Sequence, residues 1–97
     1  MELMKQFQER WNEVKDRLSM KTVEGSSGGG MVTVEMNGLL EVVSVKIDPS
    51  IFEIGDVEML EDLVTAAVNE AVRKVKDVIT REAIDMVKPE FPGMFLA

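Results

Sequence analysis

The stretch MVTVEMNGLLEVVSVKIDP, residues 31–49, decides the expected fold. Two runs rich in β-branched residues flank Asn37-Gly38, the dipeptide favoured in type I′ turns, and together they predict an antiparallel β-hairpin with such a turn. Pro49 ends the second arm because proline cannot donate a backbone hydrogen bond to a neighbouring strand. Alternation along this arm predicts two opposite faces, one with Val43, Val45 and Ile47 and the other with Val42, Ser44 and Lys46.

Residues 2–20, which precede the hairpin, have the periodicity of a helix with one packing face. The apolar residues of that face are spaced 3, 4, 3 and 4 apart, and they are Met4, Phe7, Trp11, Val14 and Leu18. Such a seam predicts docking on another helix. We therefore expect Trp11 to be buried in a helix packing interface.

A glycine-rich segment, residues 25–30, separates this helix from the hairpin. Residues 22–26 are predicted to form a short strand, which the glycines interrupt with a flexible turn. A phosphate-binding loop would end in Gly-Lys-Ser/Thr or open a helix, whereas this segment leads into a strand. The segment is therefore interpreted as a turn.

Asp56 is a suitable N-cap for a long helix that is predicted to continue to about Val87. Its apolar stripe consists of Val57, Leu60, Val64, Ala67, Ala71, Val75 and Val78. Thirty helical residues measure about 45 Å, which is longer than a small sheet can cover. The part past Val78 is therefore expected to protrude or to pack against the first helix or a partner. Ile51 and Phe52, just before this helix, are expected to fill the core.

Pro89 ends the long helix, and residues 89–97 form an apolar tail that is expected to be mobile. Phe91, Met94 and Phe95 of this tail are expected to serve a contact outside the domain. No change of composition divides the chain, so residues 1–97 are expected to form a single domain.

The composition excludes several kinds of chemistry. The chain has no cysteine and no histidine, which excludes disulfides, thiol catalysis and Ser-His triads and removes the usual zinc ligands. We expect no metal or cofactor. No signal peptide or membrane-spanning run is evident, so a cytoplasmic location is expected. The chain is small, its long helix has excess apolar surface, and Leu39-Leu40 would be partly exposed, so a homodimer is expected.

The net charge of −7 taken alone speaks against nucleic acid, but its distribution is uneven. Residues 1–21 hold five basic and four acidic side chains. Residues 22–62 hold one basic side chain, Lys46, against nine acidic ones, and residues 63–97 hold five of each. The acidity therefore lies in the middle of the chain.

The order helix–strand–strand–strand–helix carries a distinctive set of sequence words. They are VEGSSGGGMV at 23–32, VEMNG at 34–38, VKIDP at 45–49, DVEMLEDLV at 56–64, AAVNEA at 66–71 and FPGM at 91–94. In content, order and spacing these words resemble the YbaB/EbfC family over essentially the whole chain. The resemblance implies an α+β fold, αβββα, with a three-stranded antiparallel sheet flanked by helices. It also implies a tweezer-like homodimer, DNA binding with low sequence preference and association with the nucleoid.

Basic residues on both helices are the candidate DNA-binding residues. On the first helix, Arg10, Arg17 and Lys21 share one side of the apolar seam and Lys15 lies on the other. On the long helix, Lys74, Arg81 and Lys88 repeat every seven residues along one line. Such ridges could contact phosphates without reading bases. Alternatively they are ordinary helix-surface pairs, since Glu13–Arg17, Glu70–Lys74 and Asp77–Arg81 all have i, i+4 spacing.

Two other functions remain open at this stage. The chain could be a protein-interaction or scaffolding module whose partner recognises the acidic sheet, the first helix or the apolar tail. An enzyme would depend on Glu58, Glu61, Asp62 and Asn69, whose carboxylates could hold a hard cation. Solvated surface charge is the favoured interpretation of that acidic cluster.

Overall fold

A computed structural model describes residues 2–87 and shows a helix, a three-stranded antiparallel sheet and a long helix. The sheet order is β1-β2-β3. A 3-10 turn at Gly28–Gly30 joins the first two strands, and the elements are α1 (Glu2–Met20), β1 (Thr22–Ser27), β2 (Val32–Asn37), β3 (Val42–Ile47), α2 (Ser50–Ile54) and α3 (Val57–Val87). The predicted αβββα fold is confirmed.

The core lies between one face of the sheet and α3. Val32, Val34 and Met36 alternate along β2, and all three are buried against the small residues Ala67 and Ala71 of α3. Because successive side chains of a strand point to opposite faces, these three residues all lie on the face of β2 that packs against the helix. The α3 stripe is confirmed at its centre, whereas Val57 at its start is exposed.

Gly25 in β1 allows the helix and the sheet to approach closely. A Cβ atom at this position would lie 2.2 Å from the carbonyl oxygen of Ala67 and 2.5 Å from the amide nitrogen of Ala71. Gly25 is therefore a strand residue rather than part of a flexible turn, and it pairs with Val34. The predicted turn is shorter than expected because Ser26 and Ser27 also belong to β1.

The hairpin between β2 and β3 is confirmed, but the predicted type I′ turn is wrong. The left-handed residue is Leu40, with φ 63°, and Gly38 does not have positive φ. The Leu40 amide donates to the Asn37 carbonyl, and the Asn37 amide donates to the Glu41 carbonyl. This pattern is that of a three-residue hairpin loop closed by a bulge. The Asn37 side-chain oxygen also accepts hydrogen bonds from the Leu39 and Glu41 amides.

Gly38 serves a different purpose from the one that the sequence indicated. Its amide donates to the carbonyl oxygens of Leu18 and Lys21, each at 2.9 Å. A Cβ atom there would lie 2.6 Å from the Leu18 carbonyl oxygen. Glycine is therefore required because the end of α1 rests on the hairpin turn.

A register shift in β3 changes the predicted faces of that strand. Met36 lies opposite Val42, whereas Glu35 lies opposite Ser44, so Val43 is the extra residue of a β-bulge. Val42 therefore lies on the face of Val45 and Ile47, and its predicted place on the face of Ser44 and Lys46 was wrong. A bulge depends on the pairing of two strands, which alternation within one strand does not reveal.

Ile51 in α2 is buried, as predicted, but Phe52 is exposed and does not fill the core. Asp56 caps α3 as predicted, since its Oδ1 accepts a hydrogen bond from the Met59 amide at 2.9 Å. Past Val78, α3 meets the end of α1, where Glu82 contacts Arg17 and Lys21. The tail at 89–97, for which a mobile state was predicted, lies outside the described residues.

Candidate nucleic-acid interface

Glu82 joins the two helices that carry the candidate DNA-binding residues. Only 5% of this residue is exposed. Its carboxylate accepts a hydrogen bond from Lys21 Nζ at 2.5 Å and lies 3.5 Å from Arg17 Nη2. Two of the predicted cations are thus held side by side near the end of α1, each with about half of its side chain exposed.

Glu82 was not singled out from the sequence. A signal was present, because Glu82 continues the stripe of Ala71, Val75 and Val78 at spacings of 4, 3 and 4. An acid at a seam position is expected to have a partner, since burying an unpaired charge is costly. Its partners come from α1, which a helical wheel of α3 alone cannot show.

The hydrogen bond from Lys21 and the charges of Lys21 and Arg17 lower the pKa of the Glu82 carboxyl below its ordinary value, against the opposing effect of burial. A carboxyl with a lowered pKa in the folded state stabilises the fold above its unfolded pKa of about 4.3. This contribution is lost as the pH falls through the folded-state value. The α1–α3 contact should therefore weaken in acid.

Lys74 connects α3 to β1. Its Nζ donates to the Glu24 carbonyl oxygen at 2.6 Å and lies 3.3 Å from Glu70 Oε1, which confirms the predicted Glu70–Lys74 pair. Glu70 also accepts a hydrogen bond from the Ser26 amide, and this bond is the largest cause of its lowered pKa. Lys74 therefore has a structural role, while about half of its side chain remains exposed.

The other candidate cations have different surroundings. Arg10 lines a groove of about 180 Å³ together with Glu13, Asp85 and Met86. Lys15 and Arg81 are exposed and have no ion pair within residues 2–87. In the same range Arg17 pairs with Glu82 rather than with Glu13, so that predicted helix-surface pair is wrong, and Asp77–Arg81 is not formed.

Lys88 lies outside the described residues. Arg73 and Lys76, which sequence reasoning passed over, are also exposed on α3. The cluster Arg73-Lys74-Val75-Lys76 was the available signal. Arg73 and Lys76 lie off the seven-residue line of Lys74, Arg81 and Lys88, so that periodicity did not indicate them.

Charge is divided along the length of α3. Its first half carries acids but no lysine or arginine up to Ala71, whereas Arg73, Lys74, Lys76 and Arg81 all lie in the second half. That second half is the part that meets α1. The acidic residues of α2 and of the start of α3 are therefore separated along the helix from the cations that the two helices share.

Trp11 was predicted to be buried in the α1 seam, and within residues 2–87 this is wrong. Val14 and Leu18 are buried, but Trp11 is 45% exposed and Phe7 is 62% exposed. The seam meets α3 and β2 only along its second half. Periodicity identified the packing face correctly and overestimated the length of its contact.

Neither α1 nor α3 has an apolar window long enough to cross a membrane, as far as residues 2–87 are concerned. The same range contains no group of three or more acidic side chains placed to hold a metal ion. The acidic cluster around Glu58 is therefore not such a group.

Comparison with known proteins places the chain in one class, a family of DNA-binding proteins. The YbaB/EbfC DNA-binding family matches residues 1–89. The chain belongs to this family, as its sequence words had indicated.

The relatives cover most of the chain. A nucleoid-associated protein of Syntrophobacter fumaroxidans is 39% identical over 101 residues, which cover 98% of this chain and 92% of that protein. Nucleoid-associated protein TTE0040 of Caldanaerobacter subterraneus subsp. tengcongensis is 45% identical, covering 93% of this chain and 82% of that one. The crystal structure of the uncharacterized protein HP0035 from Helicobacter pylori has the same fold, with a TM-score of 0.77 and 28% identity over 88% of this chain and 89% of that one.

We predict that Glu82→Gln loosens the α1–α3 contact. The variant should lose about 1 kcal/mol of unfolding free energy at neutral pH, since hydrogen bonds to charged groups are worth more than this but the two cations are half exposed. Chemical denaturation at pH 7 and pH 4 measures the effect. The difference between parent and variant should shrink at the lower pH, because the stabilisation from the lowered pKa of Glu82 is lost as the pH falls from the unfolded value through the folded one. An equal difference at both pH values would contradict an ionic role for Glu82.

Proposed function

We propose that this chain binds duplex DNA as a homodimer with low sequence preference and is not an enzyme. In this role it would help to organise the nucleoid and could influence gene expression. Membership of the YbaB/EbfC DNA-binding family is the observation that carries the proposal. The division of charge along α3 supports it, because the cations lie away from the acidic middle of the chain.

The DNA-binding residues proposed are Arg10, Lys15, Arg17, Lys21, Lys74, Arg81 and Lys88. Lysine and arginine on helix faces can contact phosphates and set the position of a protein on a duplex, but such contacts do not carry sequence information. Low sequence preference follows from this kind of contact. The net charge of the chain is negative, so attraction must be local, within a Debye length of about 8 Å at physiological ionic strength.

The homodimer is supported by the uncovered surface around β3. This strand is an edge of the sheet, and α3 packs on β1 and β2 instead. The exposed apolar residues there are Leu39, Leu40, Val42, Val43 and Val45. An edge strand with unpaired backbone groups and apolar side chains is a favourable site for pairing with another chain. We therefore place the dimer contact on β3 and its hairpin turn.

The β3 surface also favours the second candidate function, an acidic protein-interaction module without significant DNA affinity. In that case a different protein, rather than a second copy, would cover β3. The two functions predict different results in a DNA titration and in a measurement of mass.

We predict weak, salt-sensitive binding to duplex DNA. With two or three phosphate contacts per protomer, the logarithm of affinity should fall by about 4 to 5 per log unit of salt, so binding is measurable near ~50 mM and largely lost by ~200 mM. Arg81→Gln should flatten this slope by about 2 per dimer, since each contact contributes about 0.9. Fluorescence anisotropy with two unrelated duplexes measures affinity and sequence preference together.

Lys5→Gln is the matched control for Arg81→Gln, because Lys5 is exposed on α1, lies outside the proposed DNA-binding set and gives the same charge change. The control should retain the slope of the parent. If no duplex binds at low salt, or if both variants lower the slope equally, the helix ridges do not bind DNA and the interaction-module function is favoured.

We predict that the chain sediments as a dimer at micromolar concentration and that Val43→Lys combined with Val45→Lys produces monomers, because charged side chains on an edge strand oppose pairing. Thr22→Lys, an exposed position on β1 at the other edge, is the control and should remain dimeric. A parent that sediments as a single ~10.8 kDa species would refute the homodimer.

A further inference from the structure

Glu82 of α3 already binds two of the cations that are proposed to contact DNA. Its Oε1 accepts a hydrogen bond from Lys21 Nζ at 2.5 Å, and its Oε2 lies 3.5 Å from Arg17 Nη2. Each carboxylate oxygen thus has one cation as its partner. Two positive charges and one negative charge leave the three side chains with one net positive charge between them.

The Glu82 carboxylate offers Lys21 and Arg17 the same kind of partner as a DNA phosphate would. Both groups are anionic oxygen acceptors, and lysine and arginine make charge-assisted hydrogen bonds to either. About half of each cationic side chain is exposed, so a phosphate can reach both of them. The phosphate must then share these cations with an anion that is already in place.

Glu82 is the fixed member of this group. Only 5% of the residue is exposed, whereas the two cations are long side chains that reach it from α1. The Lys21 hydrogen bond and the charges of Lys21 and Arg17 lower the pKa of Glu82, so its carboxylate is ionised at neutral pH. A buried carboxylate that loses its partners is costly. Drawing either cation toward a phosphate therefore meets resistance from Glu82.

Other proposed DNA-binding residues are not restrained in this way. Lys15 and Arg81 are exposed and have no ion pair within residues 2–87. Each of these cations can offer its full charge to a phosphate. The basic ridges thus contain both restrained and unrestrained cations.

We propose that Glu82 competes with DNA phosphate for Arg17 and Lys21 and thereby limits the affinity of the chain for DNA. This role rests on the proposed function of duplex binding and names a residue that opposes it. Glu82 acts through the two cations and does not itself contact DNA. The restraint is local, so it is a cause of weak binding separate from the overall negative charge of the chain.

The test compares the DNA affinity of the parent with that of Glu82→Gln at several salt concentrations. If one further cation per protomer becomes free to contact phosphate, the salt slope should steepen by about 2 per dimer, since each contact contributes about 0.9. Binding at ~50 mM salt should then tighten about tenfold or more. Asp77→Asn is the matched control, because Asp77 is exposed on α3, has no ion pair within residues 2–87 and gives the same charge change. The control should keep the slope of the parent, and equal effects of the two substitutions would overturn the proposal.

A second comparison shows whether Glu82 acts through the two cations. Glu82→Gln is combined with Arg17→Gln and Lys21→Gln, which leaves no buried charge without a partner. The gain in affinity and the steeper slope should both disappear relative to a chain with Arg17→Gln and Lys21→Gln alone. A gain that persists in this background would come from the general field of the protein and would overturn the proposal.

Arg17→Gln by itself gives a test that does not require Glu82 to be replaced. Lys21 still pairs with Glu82 in this variant, so the buried carboxylate keeps a partner. Because Arg17 is restrained, its loss should flatten the salt slope by less than about 1 per dimer, compared with about 2 for Arg81→Gln. An equal loss for the two variants would contradict competition by Glu82, and circular dichroism confirms that each variant is folded.

Failure of this role and failure of the proposed function give different results. If the parent binds duplex DNA and Glu82→Gln binds no better, the proposed function stands and the role of Glu82 is wrong. If neither protein binds at ~50 mM salt, both are wrong.

Discussion

The close approach of β1 to α3 at Gly25 is the constraint on which the rest of the structure depends. The backbone of the strand lies directly on the backbone of the helix at Ala67 and Ala71, and no side chain fits between them. This approach brings Ser27 Oγ within 2.6 Å of the Leu63 carbonyl and Lys74 Nζ within 2.6 Å of the Glu24 carbonyl. It also buries Val32 and Val34 of β2 completely under α3.

A second close approach at Gly38 fixes the position of α1. The carbonyl oxygens of Leu18, in the last turn of this helix, and of Lys21, just after it, accept hydrogen bonds from the Gly38 amide. Carbonyl groups at a helix end need such partners, because they have none within the helix. With α1 held at this end, Lys21 and Arg17 meet Glu82, and the cations of the two helices lie on one part of the molecule.

Elements that depend on local sequence could be predicted, and features that depend on a contact between elements could not. The helices, the hairpin and the Asp56 cap follow from periodicity, from Asn37-Gly38 and from capping chemistry. The turn type was wrong because Gly38 is selected by its contact with Leu18 rather than by its own φ angle. The bulge at Val43 arises from pairing with β2, which one strand cannot reveal.

The candidate site shows the same division. A helical wheel shows which cations lie on each helix face. It cannot show that Glu82 is the partner of Arg17, because Glu82 lies on another helix, 65 positions further along the chain. The exposure of Trp11 was missed for a related reason. A regular seam shows which face of α1 packs, whereas the extent of packing depends on which other elements lie against that face: Val14 and Leu18 are buried, but Phe7 and Trp11 are exposed.

The free energy of unfolding of Gly25→Ala tests the central constraint most directly, with Ser26→Ala in the same strand as the control. Replacing a strand glycine by alanine normally gains about 0.5–1 kcal/mol. Here we predict a net loss of about 3 kcal/mol or more, because the new methyl group would meet helix backbone that no rotamer change can move. The control, at an exposed side chain, should change stability by no more than about 0.5 kcal/mol. A Gly25→Ala protein as stable as the parent would show that β1 and α3 do not depend on this close approach and would contradict the account.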